Sequence, residues 1–219
     1  MQRELRLTED GSHTLFVKGL DEPYHSIHGA LQESNHIFIK QGFQTVQKSP
    51  LNILEIGLGT GLNMMLSLVE SLKHGVDVYY HAVEKYPLIP SEYLKLNFEK
   101  IISGIPTGSL IRMHEAPWND EFSLTERFRI HKEESDFRSM SPKGIFDLVY
   151  FDAFAPDKQP HLWTTEIFSK LNKLMNPNAI LVSYSAKGSV RRALVSSGFD
   201  VIKIPGPPGK REMIRACKR

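Results

Sequence analysis

The sequence has one cysteine, Cys217, so no disulfide can form within the chain, and no second Cys or nearby His completes a metal site around it. No apolar run approaches the ~18 residues that a membrane helix needs. The opening Met1-Gln-Arg-Glu-Leu-Arg6 lacks the apolar stretch of a secretory signal. These absences predict a soluble protein of a reducing, cytoplasmic compartment with no membrane partner. Internal repeats, low-complexity tracts and Ser/Gly linkers are also missing, which excludes solenoids and flexibly tethered domains. His25, His28, His36, His81, His114, His131 and His161 follow no metal-ligand spacing, and no metal is expected.

A strong charge of either sign is absent too, since the net charge is +2. The distribution is uneven. From Lys187 onward there are nine Lys or Arg against two acids, so the remainder of the chain is net acidic. The basic stretch is a candidate surface for a polyanion, with a solvated charged tail as the alternative.

What is present is an alternation of periods. Leu51, Ile53, Leu54 and Ile56 form a short apolar run of the kind a strand covered on both faces requires. Leu62, Met65, Leu66, Val69 and Leu72 then follow helical spacing over 62–73. A second strand is predicted over 76–83, closed by Glu84, and a second helix over 87–98 with a proline near its start. Residues 110–136 predict two strands around Pro117 to Asp120, with Phe128 and Ile130 in the second. Further on, strands are predicted over 146–151, 179–185 and 199–204, and helices over 164–174 and 189–197. Strands alternating with helices imply an α/β fold, a Rossmann-like doubly wound and mostly parallel sheet. Residues 1–45 differ in texture and read as an N-terminal extension or lid, with Leu31, Ile37, Phe38 and Phe43 facing a core; 46–219 form the main domain.

Two strand tips carry the chemistry. Glu55-Ile-Gly57-Leu-Gly59-Thr-Gly61 ends the first strand, where glycines let the backbone turn sharply and approach a ligand. The spacing departs from the dinucleotide fingerprint, and an acid is misplaced beside a pyrophosphate. A cationic, phosphate-free guest suits it, and S-adenosylmethionine is one. Glu84, at the second strand tip, is placed to accept ribose hydroxyls. Phe151-Asp152-Ala-Phe154-Ala-Pro156, with Pro160, Leu162 and Trp163, ends a strand expected beside the first. Asp152 emerges next to the glycine loop, Phe154 offers a flat face, and Leu162 and Trp163 read as packing.

These motifs, together with Ser185-Ala-Lys-Gly-Ser-Val-Arg-Arg192, Gly198-Phe199, Gly209-Lys-Arg-Glu-Met213 and, in the N-terminal segment, Tyr24-His-Ser26, Glu33-Ser34 and Phe38, resemble the methyltransferase domain of the MnmC family. The resemblance covers nearly the whole chain. It implies a class I S-adenosylmethionine-dependent methyltransferase acting on the exocyclic amine of 5-aminomethyluridine, often 2-thiolated, at the tRNA wobble position. Bifunctional members carry a flavin oxidoreductase domain as well. This chain ends at Arg219 and resembles the form without it, which names a separately encoded uridine-modifying oxidoreductase or complex as a candidate upstream partner.

The resemblance implies Glu55, Gly57, Gly59, Gly61, Asn63, Glu84 and Asp152 as cofactor-binding residues, with Glu134 the first choice near adenine and Asp136 the second. Asp152 is the candidate to orient the amine and accept its proton; Phe154 and Tyr24 are candidates to bracket a flipped uracil, or else plain core. Lys187, Arg191, Arg192, Lys210 and Arg211 are candidate contacts to the anticodon arm. Two rival readings remain. One is a methyltransferase or aminopropyltransferase for small amines, which would turn over free amines and ignore RNA. The other is a catalytically silent binding module, against which the intact glycine loop and Asp152 count.

Overall fold

A computed structural model describes residues 1–140, 142–207 and 209–219. The N-terminal segment begins as a three-stranded antiparallel sheet of β1 (Arg3–Leu7), β2 (His13–Val17) and β3 (Glu22–Pro23). It continues into α1 (Ala30–Ser34), a π-helical stretch Asn35–Lys40 and a 3-10 turn Phe43–Thr45. Ile37, Phe38 and Phe43 are buried, and the Phe38 ring lies 5.1 Å from Tyr150. This segment therefore enters the main core as well as covering it.

The rest alternates strand and helix: β4 (Leu51–Ile56), α2 (Leu62–His74), β5 (Val78–Glu84), the short helices α3 (Pro90–Tyr93), α4 (Phe98–Ile101) and α5 (Ser109–Glu115), and the hairpin β6 (Glu121–Thr125) and β7 (Phe128–Glu134). Then come β8 (Phe146–Phe151), α6 (Thr165–Lys173), β9 (Met175–Ser183), α7 (Gly188–Ser196), β10 (Phe199–Pro205) and β11 (Glu212–Lys218). The sheet order is β10-β11-β9-β8-β4-β5-β7-β6. The five strands from β9 to β7 are mutually parallel, while β6 and β11 run against their neighbours. This is a doubly wound, mostly parallel sheet, as the alternation of strands and helices predicts.

Alternation along β4 explains the layering. Leu51 and Ile53 join the core beneath α2, while Leu54 and Ile56 join the core beneath α6 and α7. Glu55 shares the face of Ile53, which turns its side chain under α2. Among the described residues no helix is long and apolar enough to cross a membrane.

Several expectations are corrected here. The helix expected over 87–98 is two short pieces, because Asn97 is drawn away to the N-terminal sheet: its Oδ1 accepts from His13 N at 2.9 Å and its Nδ2 donates to Gly11 O at 2.9 Å. Helix α5 was not foreseen. Its start is capped from a distance, with Glu99 accepting from Gly108 N at 2.9 Å and Leu110 N at 2.7 Å. Of the two strands expected around 117–120, the first falls where α5 stands; the hairpin β6–β7 lies beyond that turn, with Phe128 and Ile130 in its second strand as expected. Strand β9 begins at Met175 because Asn178 adopts φ 64° and a register shift absorbs the extra residues.

The basic stretch is no tail. Strand β11 is inserted between β9 and β10, with Met213, Ile214 and Ala216 buried. Lys218 donates to Asn172 O and Met175 O, each at 2.7 Å, Lys203 pairs with Glu212 at 2.6 Å, and Arg219 pairs with Asp200 at 2.7 Å. A third of those basic residues thus serves the fold itself.

Candidate active site

The tips of β8, β4 and β5 are tied side by side, with Asp152 N donating to Ile56 O at 3.0 Å and Gly57 N to Val83 O at 2.9 Å. Gly57 has φ 93°, and a Cβ there would sit 2.5 Å from Asp152 O. Only glycine allows that approach. Gly59 has φ 50°, and a Cβ there would lie 2.8 Å from the Tyr24 ring. The loop and the N-terminal segment therefore touch face to face.

Between them lies a cavity of about 390 Å³, lined by Gly57, Gly59, Asn63, Glu84, Asp136, Phe137, Asp152, Phe154 and Tyr24 among others. Its volume is that of a small-molecule site. Glu84 stands at the β5 tip, its two oxygens accepting from Gly59 N at 2.9 Å and Tyr86 N at 2.7 Å. Asp152 is partly accessible from the cavity. Burial raises its carboxyl to about 7, Glu33 adds to the rise, and the Asn63 hydrogen bond and Lys210 oppose it. A carboxyl poised there both holds and releases a proton near neutral pH.

Three cofactor candidates lie elsewhere than expected. Glu55 does not face the cavity: it is fully buried, and its carboxylate accepts from Asn63 Nδ2 at 2.9 Å and from Tyr80 OH at 2.9 Å. Burial holds its carboxyl well above the usual range, so it braces the loop from beneath rather than meeting a cation. Glu134 is exposed and outside the cavity lining, whereas Asp136 and Phe137 lie in it. The strand ends at Glu134, and the turn that follows points the next acid inward; Asp136 is held by Arg138 at 2.6 Å and Lys85 at 3.1 Å, which keep its carboxyl low. Gly61 packs against Met113, outside the lining.

Tyr24 and Phe154 come together, with ring centroids 5.0 Å apart at 73°. They form a corner, not two parallel walls, so the bracketing expected of them is replaced by one flat face and one edge. Tyr24 OH accepts from Arg3 Nε at 2.9 Å. The loop bearing Phe154 is braced by Trp163 Nε1, which donates to Phe154 O at 2.8 Å, and by Gln159, which accepts from Phe154 N at 3.0 Å.

Of the basic candidates, Arg191, Arg192 and Arg211 are exposed, and Lys187 is paired with Asp157. Lys210 goes elsewhere. It lines the cavity, paired with Glu33 and 4.4 Å from the centre of the Tyr184 ring. The sequence reading missed Glu22, whose carboxylate accepts from Ala155 N at 3.2 Å, and Tyr184, whose hydroxyl donates to Ala153 O at 2.7 Å. Neither has a local signal, because both act through contacts more than 30 residues away in sequence. Spacing also concealed a cross-strand group, in which ligand-type atoms of His81, His131 and Glu133 lie within 4.8 Å of one another on neighbouring strands, outside the cavity.

The cavity fits S-adenosylmethionine in its chemistry. The glycine approach removes the side chains that would fill the cradle, Glu84 and Asp152 supply acidic groups to a cationic guest, and Phe137 offers an apolar wall for an aromatic ring.

Comparison with known proteins agrees. Residues 128–219 match a family described as S-adenosyl-L-methionine-dependent methyltransferases. The chain is 32% identical over 226 residues to a protein of Hydrogenovibrio crunogenus described as the tRNA 5-methylaminomethyl-2-thiouridine biosynthesis bifunctional protein MnmC, covering 96% of this chain and 33% of that protein. It is 28% identical to the like-named protein of Aeromonas hydrophila, covering 87% of this chain and 32% of that one. The chain thus spans about a third of the length of the curated relatives it matches. Among solved structures, MnmC2 from Aquifex aeolicus superposes with a TM-score of 0.78 at 26% identity, covering 98% of this chain and 70% of that one. Spermidine synthase from Thermotoga maritima, at 14% identity and a TM-score of 0.56, shares the fold.

Proposed function

We propose, starting from the chain's membership of the MnmC methyltransferase family and from its cofactor, S-adenosylmethionine, that it methylates the exocyclic amine of 5-aminomethyluridine, 2-thiolated or not, at the wobble position of tRNA in the cytoplasm. The observation that carries this reading is Asp152 at the cavity floor beside the Tyr24–Phe154 corner, an acid and a flat aromatic face within one site. An amine on a planar base needs both.

When bound, S-adenosylmethionine supplies a methyl carbon on a cationic sulfur, which leaves with the C–S electron pair as the nitrogen forms its new bond. The protein's work is to place and deprotonate that nitrogen. A free alkylamine is mostly protonated at neutral pH, as lysine is, and an ammonium has no lone pair. Asp152 takes its proton; burial and Glu33 have already raised the carboxyl into the range where it can do so. Phe154 and Tyr24 receive the base once it has left its stack. Asp136 and Glu84 serve the adenosine end of the cavity. Residues 1–45 act as the lid over the catalytic domain of 46–219. Arg191, Arg192 and Arg211 hold the anticodon arm electrostatically.

The test is incubation of the pure protein with labelled S-adenosylmethionine and tRNA carrying the unmethylated amine, followed by digestion to nucleosides. Label in the wobble uridine is the expected result. Turnover of free polyamines with indifference to RNA would instead support the small-amine reading.

A further inference from the structure

Asn63 sits at the start of α2, 3% exposed, with both hydrogens of its amide spoken for. Its Nδ2 donates to Glu55 Oε1 at 2.9 Å and to Asp152 Oδ2 at 2.8 Å. Tyr80 OH, donating to the other Glu55 oxygen at 2.9 Å, anchors that carboxylate from below. With the amide set this way, its oxygen is turned away from both carboxyl groups. Asn63 Oδ1 is then the remaining polar atom of a residue that lines the cavity, and it has no partner among the described residues. A buried, unpaired acceptor is costly to keep unless a donor arrives.

Asp152, bonded to the same amide, supplies a second acceptor, since that bond uses Oδ2 and leaves Oδ1. Two acceptors on hydrogen-bonded neighbours match the two N–H bonds of one amine. A neutral primary amine has two N–H bonds and one lone pair.

We infer that Asn63 positions the acceptor amine: its Oδ1 takes one N–H and Asp152 the other, so the lone pair is the one direction left for bond formation. This rests on the substrate reading given above, and it moves Asn63 from a cofactor role to a substrate role. The proton balance is simple. The bound ammonium gives one proton to Asp152, which releases it to solvent, and the two hydrogens that remain are held by the two acceptors. After transfer the secondary ammonium still carries two N–H bonds and stays in place. Once it loses a proton it has only one, so a second transfer would set an acceptor against a methyl group. The pair therefore limits the reaction to one methyl.

The experiment compares wild-type protein and Asn63→Ala on two tRNAs, one with the primary amine and one with the already methylated secondary amine. Products are resolved as nucleosides, and S-adenosylmethionine affinity is measured by calorimetry. Wild type should act on the secondary amine at least ~100-fold more slowly, the order of discrimination a site gains when an unmatched substrate leaves its buried polar group unpaired. Asn63→Ala should slow transfer to the primary amine, raise the dimethyl-to-monomethyl ratio by about tenfold or more, and keep cofactor affinity within about threefold. Asn63→Ser serves the same comparison if the alanine variant does not fold. An unchanged product ratio with cofactor affinity falling in step with turnover overturns the inference, as does wild type that methylates both amines alike. Wild type inert toward both tRNAs overturns the substrate reading, and this inference with it.

Discussion

Lys210, near the end of the chain, reaches back across the cavity to pair with Glu33 in the N-terminal segment. The pair sets the charge felt by Asp152, because Glu33 raises its carboxyl and Lys210 lowers it. Lys210→Ala removes the cation and leaves the acid, so Asp152 should hold its proton to higher pH. The acidic limb of the pH–rate profile is expected to move upward from about pH 7, and the rate at neutral pH to fall by about fivefold for each unit it moves at first. An unmoved limb would place Lys210 outside the field of Asp152.

Asp152 itself should matter far more for transfer than for holding the cofactor. Asp152→Asn is expected to cut turnover by ~10²- to 10⁴-fold, the range for loss of a general base, with S-adenosylmethionine affinity nearly unchanged. Turnover assays and calorimetry on one preparation decide it, and equal losses in both would argue against the role.

The same carboxyl links stability to pH. Its folded value of about 7 lies above the ordinary 3.8, so the folded state holds the extra proton and is favoured at low pH. That contribution is lost as pH rises through 7. Asp152→Asn, which cannot ionise, should therefore gain in Tm relative to wild type between pH 5 and pH 8. A constant difference across that range would show that the carboxyl is not held protonated by the fold.

Glu55 separates bracing from binding. Glu55→Ala strands Tyr80 OH and an Asn63 hydrogen in a buried place and should cost about 2 to 4 kcal/mol, read as a lower denaturation midpoint. Glu55→Gln keeps the donor and acceptor count of a protonated acid and should cost under about 1 kcal/mol. If Glu55→Gln instead weakened cofactor binding tenfold without loss of stability, Glu55 would be a ligand after all.

Arg191 and Arg192 lie exposed on α7, where they remain free to meet phosphates. Replacing both with Glu should weaken tRNA binding and lower the slope of log affinity against log salt by about 2, as loss of two phosphate contacts predicts. Mobility shifts across salt concentrations measure it. Binding that ignores salt would leave the basic surface a solvated face.

The central βα units are legible because both faces of β4, β5 and β8 are covered, so their runs are mostly apolar and end where glycine or acid begins. The tips carrying Gly57, Glu84 and Asp152 were placed for the same reason. What escaped was decided at long range. Helix α5 depends on Glu99, the break at Asn97 depends on the N-terminal sheet, and Lys210 is pulled inward by Glu33. The direction of Glu55 is not legible from the motif, because an acid at a glycine loop suits a cationic guest whichever way it points. Strand parity places it on the α2 side.

Strand β11 joins β10 to the sheet from between β9 and β10, yet β10 precedes it in the chain. During synthesis, then, β9 exposes an unpaired edge and β10 has nothing to bind until residues 212–218 leave the ribosome. A nascent chain halted after Lys210 would present two sticky margins at once, the kind of surface that recruits chaperones or seeds aggregates.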